Sequence, residues 1–384
     1  MMHDKSGGTI NSSGAVSQED AARGPLTGMR VLEFVGIGPG PYCAMLLADL
    51  GAEVVRIDRP GGSEWPNRVV DRGRHVMEVD IRTEEGRELC QLAADKADAL
   101  IEGFRPGVME RLGLGPDVLL QRNPRLVYGR MTGWGQTGPL ARAAGHDINY
   151  IALSGALAAI GPPGAPPVPP LNLVGDLGGG SLFLAFGILA ALYERERSGR
   201  GQVIDAAIVD GVTSMMGMFA GFPAERPISI RRDRSLLGGA APFYRCYTCA
   251  DGLDIAVGAL EPQFYRELLD RIDAPADLRE QQYEVTAWPA RCAILAKLFA
   301  LKTRSQWSEL LEGTDACFAP VLTIEEAQRH PHLAERGTYV AVNGMAQPSP
   351  VPRFSRTPGS VATGGAGSEM LRRWGVLPSN PSGM

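Results

Sequence analysis

Residues 29–58 read MRVLEFVGIGPGPYCAMLLADLGAEVVRID: an apolar run, a Gly/Pro loop, a helical stretch and a second apolar run. Two apolar runs of strand length joined through a helix form a β-α-β unit, because parallel strands need a crossover rather than a tight turn. The unit opens a doubly wound parallel sheet. The first strand is predicted over 29–35, the helix over 42–50 with Gly51 as its C-cap, and the second strand over 53–58.

The same idiom continues. Residues 76–81 alternate like a strand near a sheet edge, and Thr83 opens a helix. Short strands are expected at 99–102 and 125–131, each after a helical run. A Pro-rich stretch at 161–170 leads to an apolar helix over about 180–198, and a second helical run, 205–222, reads as a connector. Beyond a Pro- and Arg-rich segment at 223–234, residues 243–259 form a hairpin turning at Asp251-Gly252, and helices follow near 262–271, 288–301 and 305–312. The expected fold class is α/β, a large Rossmann-like parallel-sheet domain plus a small α+β domain, with the last 35 residues wrapping over the surface. The expected division is a disordered tail at 1–24 and a large domain at 25–204, completed by 340–384. A linker helix and loop at 205–237, a small domain at 238–330 and a return segment at 331–384 make up the rest.

Composition narrows the partners. The chain holds 48 Gly and 29 Pro in 384 residues, with 44% hydrophobic residues and no G-X-Y period, so the glycines do local backbone work in a packed protein. A net charge of −5 argues against a nucleic-acid or membrane-surface binder. The longest apolar run, 182–193, is shorter than the roughly 20 residues a bilayer asks for. Six scattered cysteines, with Cys246-x-x-Cys249 the only close pair, suggest a reducing, cytoplasmic setting. No histidine has metal-ligand spacing, and neither a G-x-S-x-G motif nor a phosphate-binding P-loop occurs. The loop at Gly36 and Gly38 begins a dinucleotide fingerprint, but Pro41 takes its third glycine position.

Ligands of open parallel sheets sit beyond the carboxyl ends of the strands. Arginines collect there: Arg56 and Arg59 around the second strand, Arg72 and Arg74 before the third, Arg105 and Arg111 after the fourth. Such a set suits a small polyanion held through phosphates, while each alone also suits ordinary solvated surface. His146 opens a helical segment in Gly145-His-Asp-Ile-Asn-Tyr150, and Asp176 stands at the mouth of the apolar helix in Val174-Gly-Asp-Leu-Gly-Gly-Gly180. Glu261 ends a small-domain strand. Taken singly, His146 and Asp176 also serve as helix caps and Glu261 as a first-turn acid.

At these residues the chain resembles the α-methylacyl-CoA racemases of the family III CoA-transferase superfamily. The strings that carry the resemblance are GIGPGPYCAMLLADLGAEVVRIDRP from Gly36, IEGFRPGVMERLGLGP, RMTGWGQTGP, GHDINY, PPLNLVGDLGGG, GRGQVIDA, APFY and GALEPQFY. They run in order from about 24 to 354, and GHDINY together with EPQFY is a specific combination. The resemblance implies an intertwined homodimer with linker helices between the two domains. It implies that His146 and Asp176 are two catalytic bases, with Glu261 supporting the site of the partner subunit. It assigns Arg59, the Val79, Asp80, Ile81 and Arg82 segment, Arg105 and Arg111 to coenzyme A. Gly145, Asp147, Ile148, Asn149 and Tyr150 lie along the acyl thioester.

The implied chemistry inverts the C2 centre of a 2-methylacyl-CoA by two-base proton transfer through an enolate, with amides at the Asp176 helix start stabilising the oxygen and without a cofactor. The alternative is CoA transfer, in which Asp176 attacks an acyl-CoA. Relatives of that kind generally lack the His-Asp-Ile-Asn-Tyr run. A third possibility is a CoA-binding protein without turnover. One departure stands out: the family's Asp-Gly-Gly-Ala-Pro is here Gly238-Gly-Ala-Ala-Pro242, so Gly238 replaces the acid near the acyl pocket. The terminal PSGM is not a peroxisomal signal.

Overall fold

The computed structural model describes residues 24–222 and 229–379. The expected N-terminal tail therefore lies, Gly24 excepted, outside the described residues, as do 223–228 of the basic loop and the PSGM end.

Six strands of the large sheet come from residues 30–207: β1 (Arg30–Phe34), β2 (Glu53–Asp58), β3 (Arg74–Glu78), β4 (Ala99–Glu102), β5 (Val127–Thr132) and β6 (Val203–Ala207). Three short strands, β7 (Tyr244–Thr248), β8 (Asp254–Gly258) and β9 (Phe318–Pro320), form a separate antiparallel sheet. A hairpin of β10 (Tyr339–Val342) and β11 (Met345–Pro348) precedes β12 (Gly365–Ala366), which returns to the large sheet. The large sheet runs β12-β3-β2-β1-β4-β5-β6. Neighbouring strands in it are parallel, with Val31 opposite Val54 on one side and Ala99 on the other. Strand order reverses between β1 and β4, so the crevice beyond their carboxyl ends is the natural ligand site.

Side chains alternate across the sheet. Val31 faces a core with Ala44 and Leu47 of α1 (Pro39–Asp49), whereas Leu32 faces the opposite one with Cys90 of α2 (Glu84–Ala94). That second core also takes Met109 of α3 (Val108–Arg111), Leu119 of α4 (Pro116–Arg122) and Leu371 of a final helix, Gly367–Arg373. Each fully buried Leu here contributes about 1.5–3 kcal/mol relative to exposure. A short helix, α5 (Asp147–Leu153), follows β5. A wide π-helical segment, Leu173–Ser181, then runs directly into α6 (Leu182–Ser198), and α7 (Ile208–Ala220) follows β6. The small lobe has its own core, in which Phe243 and Tyr247 pack with residues of α8 (Pro262–Arg271), α9 (Trp288–Phe299) and α10 (Arg304–Leu311).

Five expectations change. First, α1 begins at Pro39 rather than at 42, because Pro at the first helical turn needs no N–H partner and Gly38, at φ 71°, supplies the left-handed turn before it. Second, the run at 205–222 is not helical throughout. Residues 203–207 pair with β5 as the sheet's last strand, and only 208–220 form a helix. Third, the apolar helix does not open at 180. Helical turns begin after Asn172, and the continuous helix 173–198 spans 26 residues, with an 18-residue stretch at mean hydropathy 1.7, long and apolar enough to cross a bilayer by those criteria alone. Here Leu184, Ile188 and Ala191 instead pack into the sheet core. Fourth, three of the strand-end arginines are structural. Arg72 pairs with buried Asp49, and Arg74 Nε donates to Glu33 Oε2 at 2.9 Å with neither side chain exposed. Arg56 is held by Asp58 and Asp71. The closing residues are likewise more ordered than a surface wrap, since β12 and the final helix extend the sheet layer.

Candidate active site

Asp176 occupies the first turn of the π-helical segment instead of capping a helix. Its half-buried carboxylate lies against the loop after β1, where a Cβ on Gly38 would stand 2.9 Å from Asp176 Oδ2. Asn172, four residues earlier, donates to the same Oδ2 at 3.2 Å. The Asp176 N–H donates to Asp147 Oδ1 at 2.7 Å, so that amide is engaged and does not face a substrate oxygen. Burial holds the Asp176 carboxyl above the ordinary carboxylate range. The Asn172 hydrogen bond opposes that shift, the Asp147 charge adds to it, and His146 pulls it back.

His146 is exposed at the start of α5, with extended backbone, and its N–H donates to Asn149 Oδ1 at 3.0 Å. Asp147 comes next. Its side chain is 8% exposed and turned toward the Asp176 amide, while Ile148 is exposed. Tyr150 is buried edge-to-face on Trp134, with ring centroids 4.7 Å apart, and its hydroxyl donates to the Gly145 carbonyl. Burial, with the Asp176 and Asp147 charges, pushes the Tyr150 hydroxyl up. One structural unit thus carries His146 and Asp176 side by side at the carboxyl edge of the sheet.

Two concavities flank the carboxyl edge and its neighbouring helices. A crevice of about 630 Å³ is lined by Arg59, Val79, Asp80, Ile81, Arg82 and Arg111, together with Phe104. Arg59 pairs with Glu64 at 2.5 Å and Arg82 with Asp80 at 2.8 Å, which holds the Asp80 carboxyl down at about 2. Among the described residues Arg111 makes no ion pair. Arg105 is exposed on the same loop, outside the crevice lining. Beneath this loop Arg130 bridges Glu102 at 2.9 Å and Glu110 at 2.7 Å, tying α3 to the sheet. On the other side, an apolar cavity of about 530 Å³ is bounded by Leu173 and Gly178 of the π-helical segment and by Met215, Met216 and Phe219 of α7, with Gly238 on its rim.

Glu261 stands apart. It is exposed as the residue before α8 in the small lobe. Among the described residues it makes no hydrogen bond or ion pair with His146 or Asp176. Cys246 and Cys249 lie on or beside β7 as free thiols, and no group of three or more His, Cys, Asp or Glu suited to a metal occurs among the described residues. Sequence reasoning missed Asn172, the approach of Gly38 to Asp176 and the apolar residues of α7. The i,i+4 spacing of Asn172 and Asp176 was the available signal for the first.

Known proteins resemble this chain in sequence and fold. A mouse (Mus musculus) protein named alpha-methylacyl-CoA racemase is 45% identical over 337 residues, 87% of each chain. The human (Homo sapiens) protein of the same name is 44% identical over 335 residues, again 87% of each. The solved structure of a CAIB/BAIF family protein from Brucella suis superposes with a TM-score of 0.78 at 25% identity, covering 92% of this chain and all 100% of that one. The family model for CoA-transferase family III matches residues 26–365, and the chain belongs to that family.

Proposed function

We propose that the protein inverts the α-carbon of 2-methylacyl-CoA thioesters. The observation that carries the reading is the single unit bearing His146 and Asp176, with an arginine-rimmed crevice and an apolar cavity nearby. An α-proton next to a thioester is acidic enough to remove because the resulting enolate places charge on oxygen. Inversion needs removal from one face and return to the other, hence two groups able to exchange roles. Asp176, held above the ordinary carboxylate range, is suited both to accept and to return a proton. His146 supplies the opposite group. The chemistry as proposed calls on no metal or redox cofactor.

Coenzyme A lies in the crevice, its phosphates met by Arg59, Arg82 and Arg111, with Arg105 within reach from the loop outside the lining, and its body by Val79, Asp80 and Ile81. The residues at 145–150 run along the thioester, and the acyl chain enters the cavity between the π-helical segment and α7. The working form is an intertwined homodimer whose linker helices join the two domains and whose Glu261 reaches the partner's site. The exposed Phe186 and Tyr193 on α6, each 72% exposed, support a covered face there. Six free cysteines support a reducing, cytoplasmic setting.

The test is incubation of one epimer of a 2-methylacyl-CoA in deuterated buffer. Deuterium at the α-carbon with loss of optical purity is expected. No exchange, with CoA moving instead to added carboxylic acids, overturns the reading in favour of transfer through Asp176.

A further inference from the structure

We propose that Asp147 is a positioning residue that braces the segments bearing His146 and Asp176 against each other. The inference rests on the two-base reading above and gives that site its scaffold. Asp147 follows His146 directly in the chain and accepts the Asp176 N–H at 2.7 Å across 29 residues of sequence. One carboxylate thereby sets the spacing of both bases.

The contact is made at a cost in stability. Asp147 Oδ2 is buried without a hydrogen-bond partner, an arrangement that a chain needing only a first-turn acid on α5 would avoid by leaving the group in water. The opposing segment is shaped for the same contact. A Cβ on Gly175 would stand 2.2 Å from Asp147 Oδ1, so any larger residue would displace the carboxylate. Two residues far apart in sequence are thus committed to one hydrogen bond beside the reacting groups.

The brace also places a negative charge near Asp176. From α5 and its cap, Asp147 and His146 act on it electrostatically, and Asn172 does so from its own segment; the Asp176 charge in turn raises Tyr150. From the other packed elements, Pro39 of α1 and Ile208, Val212 and Met215 of α7 lie against Gly178, Gly179 and Gly180 of the same segment. Asp147 is the carboxylate that raises Asp176, and removing its charge favours ionised Asp176.

Two variants read this out. D147N keeps the size and an acceptor oxygen but not the charge. With folding intact by thermal unfolding, its acid limb of kcat/KM for α-proton exchange should move to lower pH. D147A loses the anchor, and kcat should fall about 100-fold, the cost of a misplaced reacting group, while KM for acyl-CoA changes little. A wild-type pH limb in D147N overturns the proposal. So does a raised KM at unchanged kcat in both variants, which would give the Asp147 side chain a substrate-binding role in place of a bracing one. Should D147A fail to fold, the D147N profile decides. A wild-type protein that exchanges no α-proton overturns the two-base reading and the brace with it; a wild type that exchanges beside an unshifted D147N overturns the brace alone.

Discussion

Gly175→Ala tests the packing of the site from the side opposite Asp147. The added methyl would lie 2.2 Å from Asp147 Oδ1, 2.7 Å from its Cγ and 3.1 Å from Ile151 Cγ2. An ordinary contact needs at least about 3.4 Å, so the carboxylate or the π-helical turn must move by about 1 Å. Asp147 is buried and Ile151 closes the far side, so rotation offers little relief. A shift of that size takes the 2.7 Å Asp176 hydrogen bond out of range, losing about 1.5–3 kcal/mol for a charged acceptor. Crowding adds about 1–3 kcal/mol. The catalytic consequence is larger in proportion: displacing Asp176 by about 1 Å should lower kcat about 100-fold. Gly178→Ala is the internal comparison, because its Cβ meets Leu173 O at 3.1 Å and Met215 Cε at 3.5 Å on the cavity side. It should keep activity within about threefold, since the Leu173 carbonyl need give by only a few tenths of an ångström and the Met215 contact is already an ordinary one. The assay is the rate of α-deuteration followed by NMR, with denaturant midpoints measured in parallel. Equal rates in the two variants, or G175A within threefold of wild type, would refute the packing argument.

Three further outcomes follow from other parts of the structure. Burial pushes the Glu102 carboxyl up to about 7 against the Phe104 N–H and Arg130. A raised carboxylate penalises the ionised fold, so this contribution is fully favourable below the unfolded value near 4.5 and is lost as pH rises through about 7. At about 1.4 kcal/mol per unit the loss is on the order of 3 kcal/mol. Urea unfolding at about pH 5 and pH 8 should show E102Q free of that component, and a wild-type/E102Q difference independent of pH refutes it. Arg111→Ala should raise KM for acyl-CoA about 10- to 100-fold with kcat nearly unchanged, through loss of a charge-assisted phosphate contact, and an unaltered KM removes Arg111 from the CoA site. Co-expressed H146A and E261A chains should together recover about a quarter of the wild-type sites, each in a mixed dimer with one intact site. Recovery of none, with both chains folded, argues against a shared site.

Sequence patterns marked the sheet well where apolar runs had clear ends: 53–58 and 99–102 were legible to the residue. The glycine-rich stretch before α6 was not, because a π-helical turn has no periodic signature and glycines read as an open loop. Strand-end arginines were ambiguous for a different reason. A guanidinium that pairs with Glu33 or Asp49 looks, in sequence, the same as Arg111 facing a crevice, because the partner acid lies tens of residues away. His146, Asp176 and Glu261 stood out from their local context at helix starts and a strand end, but their catalytic roles came only through the family resemblance. The contacts that organise the first two, from Asn172, Gly38 and Asp147, appear only once the chain is folded.

Strand β12 has a consequence for the order of events during synthesis. It pairs with β3 through Gly365 and His75, a contact spanning about 290 residues, among the longest closures a single sheet can ask for. While the ribosome is still making the small lobe, the outer edge of β3 has no neighbour and its backbone groups stand open to strands of other nascent chains. The edge is sealed only after nearly the whole polypeptide has emerged. Slow translation of the last hundred codons, or a stop codon just before Gly365, should therefore register first as aggregation rather than as lost turnover.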